Sequence, residues 1–163
     1  MRCAPPRVGG IRIAGQHLNA LRSHRGNGMP KSIHHVAVVV RDLDEALAFY
    51  RDALGLDVAD RRQVEEEGVE IAFLPTGEAE IELLEPLTGE GGVARFLEKR
   101  GEGLHHICLA TGDIQAAMDR LEDAGARVLS EEPQVGADGT RYVFVHPESA
   151  HGVLIELYQP PDQ

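Results

Sequence analysis

The 163-residue sequence contains no tryptophan and only two cysteines, Cys3 and Cys108. These cysteines lie far apart and lack metal-ligand spacing, so the sequence predicts free thiols in a reducing compartment and excludes a disulfide scaffold. Long apolar runs are also absent: none approaches the ~20 residues needed to cross a bilayer, which predicts no membrane partner. The N-terminus lacks the apolar stretch of a secretory signal. A cytoplasmic location is therefore expected.

Acidic side chains are missing from residues 1–30, which carry five arginines, whereas the remainder of the chain holds all 27 aspartates and glutamates. A body this acidic repels phosphate backbones, so no nucleic-acid partner is expected. We interpret residues 1–30 as an N-terminal extension outside the mechanism. Either translation begins at Met29, or the segment is an organelle transit peptide, which would make the mitochondrial matrix the compartment.

The remaining chain repeats itself. Residues 34–38 (HHVAV) and 105–109 (HHICL) are strand-like runs introduced by a histidine pair, and they lie 71 positions apart. Asp42 and Asp113 share this offset, and each can cap the helix whose apolar spacing follows it. Gly55 and Gly125 end the two helices.

Three strand candidates follow each helix. They span about 57–64, 68–74 and 79–84 in the first half, and about 126–130, 140–145 and 152–158 in the second. The sequence thus predicts an α+β fold built from two paired βαβββ modules, about 33–87 and about 104–159. A linker helix at about 91–101 joins them within one domain, 31–163. Pairing should cover the helical faces and leave a cleft between curved sheets.

Four side chains in equivalent strands of the repeat indicate the chemistry. His35 and His106 should face away from His34 and His105, since strand side chains alternate. The last strand of each half places one carboxylate in an apolar run, Glu82 in the first and Glu156 in the second.

A buried carboxylate must be paired, protonated or bound to a cation. A lone strand histidine is more often structural, and a lone strand glutamate more often faces water. Four such groups in register instead predict a site for one divalent cation such as Co²⁺, Zn²⁺, Mn²⁺ or Ni²⁺, with coordination positions left open. The metal ligands would be His35, Glu82, His106 and Glu156.

The chain resembles the methylmalonyl-CoA epimerases of the vicinal oxygen chelate (glyoxalase-like) superfamily. The resemblance runs from about Ile33 to Gln159 and rests on residues 35–37, 44–56, 105–108, 81–87 (IELLEPL), 129–133 (LSEEP) and the stretch from His146-Pro147 to Leu157. It implies the same four metal ligands. It also implies interconversion of (2R)- and (2S)-methylmalonyl-CoA through an enolate, with a small-molecule acyl-CoA as partner and a homodimer as the assembly.

The resemblance identifies two acid/base positions. One falls on Glu156, which would also be a ligand. The other falls on Ile71, beside Glu70, whose side chain should lie on the opposite strand face. The second proton carrier is therefore Glu70 after a register shift, or a water, or another residue of the cleft.

Other functions remain open on sequence grounds. The same scaffold could support a glyoxalase-type isomerase or another acyl-CoA epimerase, and a non-catalytic small-ligand binding protein would use the same cleft. An iron dioxygenase fits less well, because that branch keeps two histidines and one carboxylate in one half. The CoA phosphates need basic contacts, for which the sequence offers Lys99, Arg100 and Arg141.

Overall fold

The computed structural model describes residues 28–136 and 138–161, so most of the N-terminal extension lies outside the described residues. The strands are β1 (Pro30–Val39), β2 (Asp60–Val64), β3 (Val69–Thr76), β4 (Ala79–Pro86), β5 (Gly103–Thr111), β6 (Gln134–Val135), β7 (Arg141–Val145) and β8 (Leu154–Gln159). The α-helices are α1 (Leu43–Leu47), α2 (Gly92–Arg100) and α3 (Ile114–Asp123). Helix α1 continues as a π-helix, Ala48–Ala53, and a 3₁₀ turn, Pro147–Ala150, precedes β8. None of the helices in these two ranges has the length and apolarity of a membrane span.

The helix boundaries follow from local chemistry. The Asp42 carboxylate accepts a hydrogen bond from the Glu45 amide at 2.9 Å, and that of Asp113 accepts one from the Ala116 amide at 3.0 Å. Both caps satisfy an amide that the first helical turn leaves unpaired, as predicted. Gly55 and Gly125 follow the helical segments with φ of 77° and 71°, a left-handed conformation that glycine adopts without steric cost.

All eight strands form one mixed sheet in the order β2-β3-β4-β1-β5-β8-β7-β6. Within each half one pair is parallel, β1 with β4 and β5 with β8. The two halves are joined by the antiparallel pair β1 and β5. The α+β class with two βαβββ modules is confirmed, but the modules do not pair by covering their helical faces. They join edge to edge, because this satisfies the backbone groups of two otherwise unpaired edges.

Each face of the sheet has its own packing. Helix α1 covers the outer face of the first half through Leu43 and Leu47, which contact Leu74 and Leu83. Helix α3 covers the outer face of the second half in the same way. Helix α2 packs on the inner face of the first half, where Phe96 contacts a cluster that includes Ile71. The rest of the inner face is available for a binding site.

The strand predicted at 126–130 is wrong. This segment makes a single bridge, Val128 to Val145, and the neighbouring Leu129 amide donates to the Phe144 carbonyl at 2.8 Å. The chain then leaves β7 through polar residues and Pro133, which has no amide hydrogen to donate to a ladder. It returns only as the two-residue strand β6. The apolar residues of the segment favoured a strand, but the following residues cut it short.

Candidate metal centre

The four residues singled out by the repeat meet on the inner face of the sheet. They lie on adjacent central strands, with Glu82 on β4, His35 on β1, His106 on β5 and Glu156 on β8. The strand register brings them close together in two neighbouring rows, because Ala37 pairs with both Glu82 and His106, and Cys108 pairs with both His35 and Glu156. Each of the four is only 5–8% exposed. The sheet therefore gathers two imidazoles and two carboxylates in one buried cluster.

The contacts within this cluster are short. The Nε2 atoms of His35 and His106 are 2.9 Å apart, and Glu156 Oε2 lies 3.3 Å from the former and 3.0 Å from the latter. Glu82 Oε1 lies 3.2 Å from His35 Nδ1. His35 is thus the centre of the cluster and contacts all three other groups.

Burial and charge shift the pKa values of the cluster in opposite directions. Burial alone would raise the pKa of Glu156, but hydrogen bonds from His106 and His35, together with their charges, lower it to about 2. Burial would lower the pKa of His35, yet its hydrogen bond to Glu156 and the charges of Glu82 and Glu156 raise it. Glu82 lacks equivalent support, so burial raises its pKa to about 7.

The prediction that His34 and His105 point away from their neighbours is wrong. The Nδ1 atoms of His34 and His35 are 3.0 Å apart, and those of His105 and His106 are 2.7 Å apart. The cause is a pair of register shifts between β1 and β5, one skipping His34 and the other skipping His105. Such bulges break the strict alternation of side chains. The imidazoles of His34 and His105 therefore contact the cluster at the Nδ1 atoms of His35 and His106.

The donor set fits a divalent cation. The ligand atoms of His35, His106 and Glu156 all lie within 4.8 Å of one another, and the same holds for His35, Glu80 and Glu82. Two imidazole nitrogens and two carboxylate oxygens suit a borderline ion such as Co²⁺, Zn²⁺, Mn²⁺ or Ni²⁺. A cation would also neutralise the buried carboxylates, of which Glu82 is the one most penalised by burial.

The structure adds three groups that the sequence reasoning did not use. Glu80 joins His35 and Glu82, and strand alternation on β4 could have found it, since residues 80 and 82 share a face. Glu67 is exposed in the turn before β3, but burial of its carboxyl and then the charge of Glu156 raise its pKa, so this turn lies near the cluster. Cys108 is fully buried beside Glu156, and burial raises its thiol pKa, which makes it a packing residue rather than a nucleophile.

Glu70 does not reach the cluster. Its carboxylate accepts a hydrogen bond from Arg61 Nε at 2.9 Å, and Arg61 also contacts Asp44 of α1. Glu70 therefore lies on the outer face, whereas its neighbour Ile71 packs on the inner face. No register shift occurs between β3 and β4 at this point. This placement corrects the assignment of Glu70 as the second acid/base.

Glu82→Gln should stabilise the metal-free protein at alkaline pH. The folded-state pKa of Glu82 is raised from 4.5 to about 7, so its ionisation costs stability as the pH rises through this window. The cost is complete above the window and is on the order of 3 kcal/mol. Urea unfolding with chelator should therefore show Glu82→Gln more stable than the parent at pH 8, with a smaller difference at pH 5.

The matched control for this comparison is Glu78→Gln, because Glu78 is exposed in the turn before β4. It should leave the free energy of unfolding unchanged at both pH values. A Glu82→Gln protein no more stable than the parent at pH 8 would show that Glu82 is not penalised by burial.

Comparisons with known proteins agree with this geometry. The family model described as the glyoxalase/bleomycin resistance protein/dioxygenase superfamily matches residues 34–144. The mitochondrial methylmalonyl-CoA epimerase of Bos taurus is 40% identical over 144 residues, covering 86% of this chain and 82% of the relative. The ethylmalonyl-CoA/methylmalonyl-CoA epimerase of Cereibacter sphaeroides is 48% identical over 130 residues, covering 78% and 96%.

Solved structures give the same picture. A variant of the Streptomyces coelicolor methylmalonyl-CoA epimerase in complex with 2-nitronate-propionyl-CoA superposes with a TM-score of 0.74 at 38% sequence identity. The match covers 81% of this chain and 96% of that chain. The methylmalonyl-CoA epimerase of Mycobacterium tuberculosis superposes with a TM-score of 0.75 at 33% identity, covering 87% and 96%.

Proposed function

We infer that the buried cluster on the inner face is the active site of this chain, which belongs to the glyoxalase/bleomycin resistance protein/dioxygenase superfamily and, within it, to the methylmalonyl-CoA epimerases. The reaction interconverts the (2R) and (2S) forms of methylmalonyl-CoA. This inference rests on one observation: Glu82, His106 and Glu156 all lie within hydrogen-bond distance of His35.

We assign metal binding to these four residues. A divalent cation held there would supply positive charge to stabilise the negative charge that develops on the thioester oxygen. Co²⁺, Zn²⁺, Mn²⁺ and Ni²⁺ all accept this donor set. His34 and His105 contact the Nδ1 atoms of the two imidazole ligands and so hold the ring orientations.

Proton transfer at carbon 2 falls to the carboxylates of the site. Glu156 is ionised throughout the neutral range, because both imidazoles hold its pKa at about 2, so it is ready to accept the proton. A carboxylate this acidic is a weak base, and abstraction therefore depends on the stabilisation of the enolate. The proton must be returned on the other face of carbon 2, and Glu67 and Glu80 are the acids we assign as alternatives for that step.

The activity has a direct test. Purified protein, reconstituted in turn with each of the four metals, should exchange the hydrogen at carbon 2 of methylmalonyl-CoA with solvent deuterium and convert one epimer into the other. Chelator-treated protein serves as the control. If no exchange occurs with any of the metals, the chain is not an epimerase of this substrate.

Ethylmalonyl-CoA is a second proposed substrate. The Cereibacter relative, at 48% identity, is named for both acyl-CoA thioesters. The same exchange assay with ethylmalonyl-CoA decides this point, because one additional methylene at carbon 2 changes the fit to the inner face and leaves the acid/base chemistry the same.

Assembly and compartment remain proposals. We propose a homodimer, as implied by the family resemblance, to be checked by the mass of the protein in solution. We propose a cytoplasmic location, with the mitochondrial matrix as the alternative if residues 1–30 direct import. The bovine and human relatives are named as mitochondrial enzymes, whereas the Cereibacter relative is bacterial.

A further inference from the structure

Tyr158 is an aromatic residue next to the cluster to which the proposed function assigns no role. Its ring, on β8, stacks on the imidazole of His34, on β1, with 4.2 Å between the centroids and 28° between the planes. The Nδ1 atom of His34 in turn lies 3.0 Å from Nδ1 of His35. Only one imidazole therefore separates the Tyr158 ring from the side chain at the centre of the cluster.

The two stacked rings meet although their strands are not neighbours. Strand β5 lies between β1 and β8, and its residue that pairs with Tyr158 is Ala110. On its other edge Ala110 pairs with Ser32, and the register shift that follows skips His34. This bulge breaks the alternation that would turn His34 away, while Tyr158 shares the inner face with Glu156, two residues earlier. The single methyl group of Ala110 leaves room for the two rings to meet over β5.

The hydroxyl end of Tyr158 is fixed by the second half of the sheet. It is hydrogen-bonded to the hydroxyl of Thr140 at 3.3 Å, and Thr140 is only 4% exposed. The Thr140 amide donates to the Asp138 carboxylate at 3.0 Å, and its carbonyl accepts from the Gly136 amide at 2.8 Å. The turn between β6 and β7 therefore holds Thr140 in place, and Thr140 holds the phenol. A tyrosine bound at both its ring and its hydroxyl has a fixed orientation.

The orientation of His35 affects the whole cluster, since His35 contacts the other three groups. An imidazole binds a cation well only when its ring is correctly turned, and the partners of its second nitrogen set that orientation. The Nδ1 atom of His35 has two such partners, Glu82 and His34. Because the side chain of His34 can itself rotate, it can orient His35 only if its own ring is packed. Stacking on Tyr158 provides this packing.

We infer that Tyr158 is a positioning residue of the metal centre. Its ring holds His34 against Nδ1 of His35 and so sets the orientation in which His35 binds a divalent cation. This inference rests on the proposed function, because it requires the cluster to bind a metal. The two halves of the sheet differ at this point: the equivalent imidazole, His105, meets the edge of the Phe96 ring, with 4.9 Å between the centroids.

The first test removes the ring. Tyr158→Leu should weaken Co²⁺ binding by about 10-fold, because the loss of a group that orients a ligand costs about 10- to 100-fold in metal affinity. Tyr158→Phe keeps the stacking and loses only the hydrogen bond to Thr140, so its affinity should stay within about 3-fold of the parent. The dissociation constant is measured by competition with a chelator, on protein that circular dichroism shows to be folded.

The matched control is Tyr50→Leu. Tyr50 is also half-buried, but it packs on the outer face against the cluster under α1, so its loss should cost stability and leave Co²⁺ affinity unchanged. In a His34→Leu protein, Tyr158→Leu should weaken binding no further, because Tyr158 acts only through His34, whereas independent effects would multiply. Parent-like affinity in folded Tyr158→Leu protein, or independent effects of the two substitutions, would overturn the inference.

Nuclear magnetic resonance of the metal-free protein separates this inference from the proposed function. In Tyr158→Leu the ring signals of His35 should broaden, because the imidazole exchanges between orientations, whereas Tyr158→Phe and Tyr50→Leu should keep the parent signals. Sharp, parent-like His35 signals in Tyr158→Leu would show that Tyr158 does not position this ring. If the His35 signals depend on Tyr158 in a parent protein that binds none of the four metals, only the proposed metal centre is rejected.

Discussion

Glu156→Gln is expected to lower the rate of hydrogen exchange at carbon 2 of methylmalonyl-CoA by about 10³-fold or more. Glu156 lies within 3.3 Å of both imidazoles and is both the proposed base and a proposed metal ligand, so the substitution removes the base and replaces a charged ligand with a neutral one. Loss of a positioned acid or base alone costs about 10²- to 10⁴-fold. The rate is measured by proton NMR of methylmalonyl-CoA in D₂O with saturating metal.

Glu122→Gln provides the matched control, because Glu122 is an exposed carboxylate on α3, which covers the outer face. It should retain the parent rate. Glu67→Gln and Glu80→Gln complete the series: the second proton carrier is the residue whose replacement abolishes interconversion and still permits exchange on one epimer. If the Glu156→Gln protein kept the parent rate, Glu156 would not be the base in the proton-transfer step.

His106→Ala is expected to weaken metal binding by about 10²- to 10³-fold, because it removes one of the four proposed ligands that share the binding free energy. The imidazole of His106 lies 2.9 Å from that of His35, so a cation bound by one is within reach of the other. Affinity is measured by competition with a chromogenic chelator for Co²⁺ and Zn²⁺. Epimerisation at a fixed metal concentration should fall in parallel.

His151→Asn is the control for the loss of a histidine. His151 is exposed and has a φ of 54°, a conformation that asparagine tolerates, so neither fold nor metal affinity should change. Parent-like affinity in a folded His106→Ala protein would contradict the four-residue centre, even if activity were lost.

The sequence was sufficient to identify the four side chains that meet in the structure, because its signals are local. A histidine pair at the start of a strand, repeated 71 residues later, and one carboxylate in each final strand are visible without any knowledge of the contacts. For Glu82 and Glu156, the strict two-residue alternation of strand side chains was enough to predict the face of the sheet on which each carboxylate lies.

The features that the sequence could not predict depend on how strands that are distant in the chain pair with one another. The bulges that turn His34 and His105 toward the cluster exist only because β1 pairs with β5, a contact between distant segments. The charge of Glu156 in the second half acts on Glu67 in a turn of the first half, a proximity that no local pattern encodes. The edge-to-edge junction of the halves also lies beyond periodicity, since amphipathic helices predict which faces are covered but not which strand edges meet.

The junction of β1 and β5 has a consequence for the folding of the chain. Each half of the sheet supplies one imidazole and one carboxylate, so neither possesses a complete donor set by itself. A cation bound by all four side chains would therefore bridge the junction of β1 and β5 and link the two halves of the sheet. Because a ligand that binds only the assembled state adds its binding free energy to that state, the metal should make separation of the halves harder in proportion to the logarithm of its concentration.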